Sequence, residues 1–261
     1  MKMLRNVGMI LALSAVVLSP APASAFVSGG PDLSYHGELT DPATVTDSSG
    51  NGLHGSILTG GGGTVTSVRE RGDRFLRFPG GSCTTAVTQP PSDLHCPQGI
   101  VQVPPSERFT PGDALFSFGA EVRLTQPPSP DAGQNVFQYG AAGAGLSQWK
   151  LQVDYGRPSC RWSDGTTTVL LSAGANDYKL KPDTWYRVLC TRVSATLFQT
   201  LVVDVRTGRP ALTAAHATAQ LGPIAPTGTV VIGGKRVRDT QSDVDTDQFH
   251  GDLDDVFYWR K

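Results

Sequence analysis

The chain has 261 residues, a formal net charge of −1 and 17% charged residues, well under the roughly 25% of an average soluble protein. Together with 30 Gly and 19 Pro, this excludes a coiled coil, a highly charged disordered tail and a basic nucleic-acid binder. Four of the 23 acids are Glu (Glu38, Glu70, Glu107 and Glu121); Asp, the other acid, favours turns and caps over helix interiors, so the composition points to strands joined by turns.

Residues 1–25 read as a secretory signal peptide. Lys2 and Arg5 form a basic start, residues 7–18 are nearly all apolar, and Ala23-Ser24-Ala25 supplies a small-residue cleavage site. The apolar run is too short to span a bilayer, no twin arginine precedes it and no Cys follows it. The expectation is a secreted mature chain, residues 26–261, forming one domain with no membrane insertion; losing Lys2 and Arg5 leaves 20 basic against 23 acidic residues, a net charge of −3.

Beyond this segment, short β-type runs alternate with turn signals and no stretch has a convincing helical period. The expected strands are 74–78, 100–103, 114–124, 135–139, 148–154, 159–163, 167–172, 185–193, 197–206, 228–233 and 249–260. So many strands imply an all-β, two-sheet antiparallel jelly-roll sandwich. Gly60 to Gly63 and the PPSP segment at 127–130 are loops within it, and Arg71-Gly72-Asp73, an integrin-type tripeptide, reads as a charged turn. Asp164-Gly165 reads as a tight hairpin turn. Four cysteines in an exported chain favour disulfides over metal thiolates. The expected pairs are Cys83 with Cys96, bracketing the turn-rich insert TTAVTQPPSDLH, and Cys160 with Cys190, tying two neighbouring strands.

Three stretches share a pattern: DSSGNGLHG (47–55), WYRVLCTR (185–192) and FHGDLDDVFYWR (249–260). In their order and spacing they resemble the laminin G-like modules of the concanavalin A-like lectin and glucanase superfamily, in the form found in secreted bacterial proteins. The likeness runs from about Leu33 to Trp259, with the 78–100 insert as a departure. Leu253, Asp254, Asp255 and Val256 break simple alternation and suggest a bulge that sends two adjacent carboxylates to different faces. In such modules an N-terminal Asp-Asn turn and a C-terminal Asp often share a calcium ion, which takes six to eight oxygens. That resemblance nominates Asp47, Asn51 and Asp254 as metal ligands. The rival ladder Asp243, Asp245, Asp247 lacks the Gly and Glu of an EF-hand loop and reads as a solvated loop.

Enzymatic chemistry has little support. No Glu lies in the E-x-D-x-x-E pattern of glycoside hydrolases of this superfamily, there is no G-x-S-x-G, and the five His are scattered. Binding is the better class, because a jelly roll offers a sheet face on which sugars stack against aromatic rings. Trp162, Trp149, Tyr155 and Tyr178 are the candidate ligand-binding residues. The sequence therefore reads as a non-catalytic module, supported by structural calcium, that recognises an extracellular glycan. The alternative is a structural or adhesion module with a protein partner, and a solvent-exposed aromatic on the concave face would discriminate the two.

Overall fold

A computed structural model of the chain describes residues 30–80, 97–126, 133–174, 179–237 and 247–261. The expected signal segment, the Cys83–Cys96 pair, Tyr178 and Asp243 and Asp245 lie outside the described residues. In chain order the strands are β1 (Leu33–Tyr35), β2 (Leu39–Asp41), β3 (Thr44–Val45), β4 (Gly55–Gly60), β5 (Thr66–Glu70) and β6 (Asp73–Arg77). They continue as β7 (Gln98–Val103), β8 (Phe116–Leu124), β9 (Gln134–Gly140), β10 (Gln148–Asp154), β11 (Arg157–Ser163) and β12 (Thr168–Ser172). The last six are β13 (Tyr186–Arg192), β14 (Leu197–Asp204), β15 (Arg209–Pro210), β16 (Ala215–Thr218), β17 (Val230–Ile232) and β18 (Gly251–Arg260).

These strands form two nine-stranded sheets. The first runs β15-β14-β13-β8-β18-β6-β5, with β1 added on β18 and β16 on β14; the second runs β12-β11-β10-β9-β17-β7-β4-β3-β2. Pairing is antiparallel in both. Each of the eleven runs expected from the sequence falls on a strand. Missed were the short strands β1 to β5, β15 and β16, which have two to six residues and mostly exposed or Gly-containing patterns. Arg71 and Gly72 both have positive φ, 53° and 97°, so the charged tripeptide does form a turn, the tight hairpin between β5 and β6.

Aromatic packing between the sheets builds the core. Phe118 on β8 touches Trp149 at 4.8 Å, Trp162 at 6.0 Å and Phe137 at 6.4 Å between ring centroids. Trp149 stacks on Tyr258 and donates its indole N–H to the Phe109 carbonyl at 3.0 Å, while Trp162 packs on Phe198. Trp149 and Trp162 are therefore fully buried, which corrects their assignment as exposed sugar-stacking residues. Bulky rings were needed to fill the gap between two large sheets, and these supply them. Cys160 and Cys190 are bonded, with Cα atoms 5.7 Å apart. Their strands are not neighbours, since β11 belongs to the second sheet and β13 to the first. The bridge crosses the core and closes a 30-residue separation, worth about 3 to 4 kcal/mol on the loop-entropy account.

Replacing Trp162 by Ala should lower unfolding stability by about 3 to 5 kcal/mol, read as a fall in the urea midpoint. A midpoint unmoved by the substitution would place the ring outside the core.

Candidate functional site

The Asp47 turn is linked to the closing strand through β1, by hydrogen bonds of Asp47 and Asn51 to residues 31–34. Asp47 Oδ1 accepts the N–H groups of Ser34 and Ser49, and Oδ2 accepts the Ser49 hydroxyl and the Leu53 N–H. Burial alone would raise its pKa, but these donors outweigh it and hold the carboxyl below the usual range. Ser34 lies on β1, which pairs directly with β18. Asn51 turns its amide nitrogen to the Asp32 and Pro31 carbonyls at 3.0 and 3.4 Å. A calcium ion would have to displace the donors on Asp47, so the set Asp47, Asn51 and Asp254 does not fit a shared ion.

The expected bulge in β18 is present: the register against β8 shifts between Asp254 and Phe257, and Asp255 has a φ of 44°. Its effect on the two acids differs from expectation. Instead of separating, the Asp254 and Asp255 carboxylates converge on His36, with ligand atoms within 4.8 Å of one another. His36 Nδ1 lies 2.6 Å from Asp255 Oδ1, and Arg187 donates to Asp255 at 2.9 Å and also to Glu121. Both ring nitrogens of His36 are engaged, because Nε2 meets the Ser34 hydroxyl at 2.9 Å. Asp254 is the group under electrostatic load. Burial, with Asp255, Asp73 and Glu121 nearby, pushes it up to about 7, against the Asp255 N–H that favours its anion. Burial likewise raises Glu121, with Arg187 opposing. Nearby, the Arg123 guanidinium packs over both the Phe75 and Trp185 rings, which touch each other, and bonds the fully buried Asp252. This ion-paired face knits strands β6, β8, β13 and β18 together.

The second sheet presents a different outer face. In β10, Trp149, Leu151 and Val153 point into the core, so the period of two sends Gln148, Lys150, Gln152 and Asp154 outward. Cross-strand register then aligns Gln138, Lys150, Arg161 and Leu170 in one row over β9, β10, β11 and β12. A cavity of about 480 Å³ opens on this row, lined also by Gln148, Gln152, Ala141, Ala142, Lys235 and Arg236.

Two features of its wall differ from an ordinary solvated sheet. Gln138 and Gln148, 7% and 3% exposed, both donate their amide nitrogens to the Gly140 carbonyl, at 3.4 and 3.1 Å. That shared acceptor fixes the orientation of both amides, since a flipped amide would set oxygen against oxygen. Gly140 has a φ of 85°, and a Cβ there would fall 2.2 Å from the Ser147 carbonyl oxygen. Both glutamine Oε1 atoms are left buried and without a partner, as are Arg161 Nε and, on the same face, Ser159 Oγ. The second feature is charge. Lys150 and Arg161 are direct cross-strand partners, an arrangement that destabilises a sheet. Asp247 offsets part of it, accepting from Lys150 at 3.0 Å and Lys235 at 2.8 Å. Burial lowers the Lys150 pKa and Asp247 opposes that shift. Asp247 is thus a buried ion-pair member, not the solvated loop residue expected.

Of the aromatic candidates, Tyr155 is exposed, 53%, at the tip of the β10–β11 turn with a φ of 50°; it does not line the cavity. Among the described residues the cavity lining contains no aromatic residue. Sequence reasoning followed the aromatics and so passed over Gln138, Gln148, Lys150, Arg161, Lys235 and Arg236. The signal was available in QWKLQVD (148–154), whose alternation puts a polar residue on the face opposite each apolar one.

No protein-family model and no curated protein sequence matches the chain. Solved structures do. The binding domain of Paraclostridial Mosquitocidal Protein 1 aligns with a TM-score of 0.58 at 12% identity, covering 89% of this chain and 49% of that one. The receptor binding domain of botulinum neurotoxin D aligns with a TM-score of 0.55 at 12% identity, over 89% and 49%. The fold is an antiparallel jelly-roll sandwich. It spans about half the length of those two structures. The LG1-3 region of the laminin alpha2 chain aligns over 61% of this chain and 29% of that one, at 11% identity and a TM-score of 0.46.

The raised Asp254 carboxyl makes a pH prediction. Its folded form keeps a proton up to about pH 7, whereas the unfolded chain releases it near the ordinary 3.8. The folded state therefore loses stability as pH rises through about 7. Asp254→Asn, which does not titrate, should raise the melting temperature more at about pH 8 than at about pH 5. An equal change at both would show that Asp254 is ionised in the fold.

Proposed function

We propose that the chain is a non-catalytic binding module that takes a carbohydrate in the cavity on the outer face of its second sheet. The observation that carries this reading is the pair of buried, unpartnered acceptor oxygens on Gln138 and Gln148, anchored in place through Gly140. An unsatisfied buried acceptor costs about 1 to 3 kcal/mol, and a small side-chain rotation that brings each closed-off oxygen to the cavity wall lets a ligand hydroxyl supply the donor that the protein does not. Closely spaced hydroxyls are the property of a sugar. Recognition here works through amide hydrogen bonds to ring hydroxyls, with Leu170 and the Ala141-Ala142 pair as small apolar contacts, rather than through stacking on an indole. The cross-sheet disulfide supports an oxidising, extracellular setting. Among the described residues no helix is long and apolar enough to cross a membrane. The carboxylates Glu121 and Asp255 on the other sheet both pair with Arg187, and Asp255 also bonds His36, which supports a binding rather than a hydrolytic role.

The test is a two-way trade. Gln138→Leu with Gln148→Leu should remove carbohydrate binding on an oligosaccharide array while the chain stays folded, because the loss of two unmet acceptors offsets the loss of the two bonds to the Gly140 carbonyl. A double variant that is destabilised and still binds would make the glutamines structural and move the site elsewhere.

A further inference from the structure

The cavity is also strongly charged for a chain whose overall balance is −1. Of its ten described lining residues four are cationic, Lys150, Arg161, Lys235 and Arg236, and none of the ten is acidic. Asp247 bonds both Lys150 and Lys235 and Asp154 is the other carboxylate acting on Lys150, so among the described residues four cations face two acids. Arg161 is bonded at its tip to the neutral Thr168 hydroxyl at 3.4 Å, and its Nε is buried without a partner. Arg236, exposed at the rim, has no ion pair among the described residues. The opposed Lys150–Arg161 pair adds repulsion that the fold would avoid if packing were its only concern.

We infer that the ligand is an anionic carbohydrate, whose carboxylate or sulfate oxygens face Arg161, Lys235 and Arg236 while its hydroxyls meet Gln138 and Gln148. This rests on the carbohydrate reading above and adds the charge of the ligand to it. The planar guanidinium fork matches both oxyanions and binds them with charge-assisted hydrogen bonds. Neutral sugars lack the group that the four cations require, and the described lining offers them no aromatic plane to stack on. An acidic peptide supplies the charge but not the hydroxyl density that two anchored amide oxygens require.

Calorimetric titration of the full chain with four probes decides the matter: oligogalacturonate, a sulfated dextran oligosaccharide, neutral dextran oligosaccharide and oligoglutamate. Binding of at least one acidic saccharide, tenfold or more above neutral dextran and weakening with added salt, is the expected result, and the comparison of its two forms tells carboxylate from sulfate. Arg161→Gln and Arg236→Gln should each weaken that binding about fivefold or more; the exposed Arg236 variant keeps the test valid if the Arg161 variant folds poorly. Equal binding of neutral and acidic saccharides, unaffected by both variants, would overturn the charge inference and leave the carbohydrate reading standing. Oligoglutamate binding as tightly as the acidic saccharides would overturn the carbohydrate reading in favour of a peptide. No binding of any probe would overturn both.

Discussion

Trp149 and Trp162 are direct partners across β10 and β11, and both rings are in the core. Everything on the outer face of that sheet depends on this. Side chains on a strand alternate with a period of two, so a register that points two indoles into the core must turn Gln148, Lys150 and Arg161 to the other face. A one-residue slip would bury a lysine and an arginine together and expose both indoles. The aromatic contacts to Phe118, Tyr258 and Phe198 and the cross-sheet Cys160–Cys190 bridge, in the same strand as Trp162, make that register the stable one. The core thus sets the site without any of its residues touching the cavity.

The two outer faces then diverge in how they manage charge. On the first sheet, carboxylates and cations pair off: Asp252 with Arg77 and Arg123, Glu121 and Asp255 with Arg187. Two carboxylates there share Arg187, and the network holds β6, β8, β13 and β18 in place beside the β1 strand. On the second sheet, cations outnumber the acids that serve them and amide oxygens are left over. Local conflicts of that sort, like charges opposed and buried acceptors unmet, are what a binding surface retains at the expense of stability.

Much of the fold was legible because long, alternating runs leave little freedom. The strands 148–154 and 197–206 could be read from period alone, and the Asp254-Asp255 doublet announced its bulge by breaking that period. The short N-terminal strands were not legible, since two or three residues such as Thr44–Val45 hold strand conformation only through their neighbours. The site was partly hidden for a different reason. A tryptophan beside a turn reads equally well as a contact residue or as core, and only the volume between the two sheets decides it. The carboxylates of the closing strand were visible as a group, but their convergence on His36 required β1 to pair with β18, a contact between residues more than two hundred positions apart.

The most direct measurement is a heteronuclear NMR titration of the isotopically labelled chain with an acidic oligosaccharide, following side-chain amide and indole signals. The account predicts that the Gln138 and Gln148 side-chain NH2 resonances and the Arg161 Nε–H resonance move together, while the Trp149 and Trp162 indoles stay fixed. Shifts confined to the Tyr155 turn or to the His36 cluster, with the glutamine amides unmoved, would contradict it.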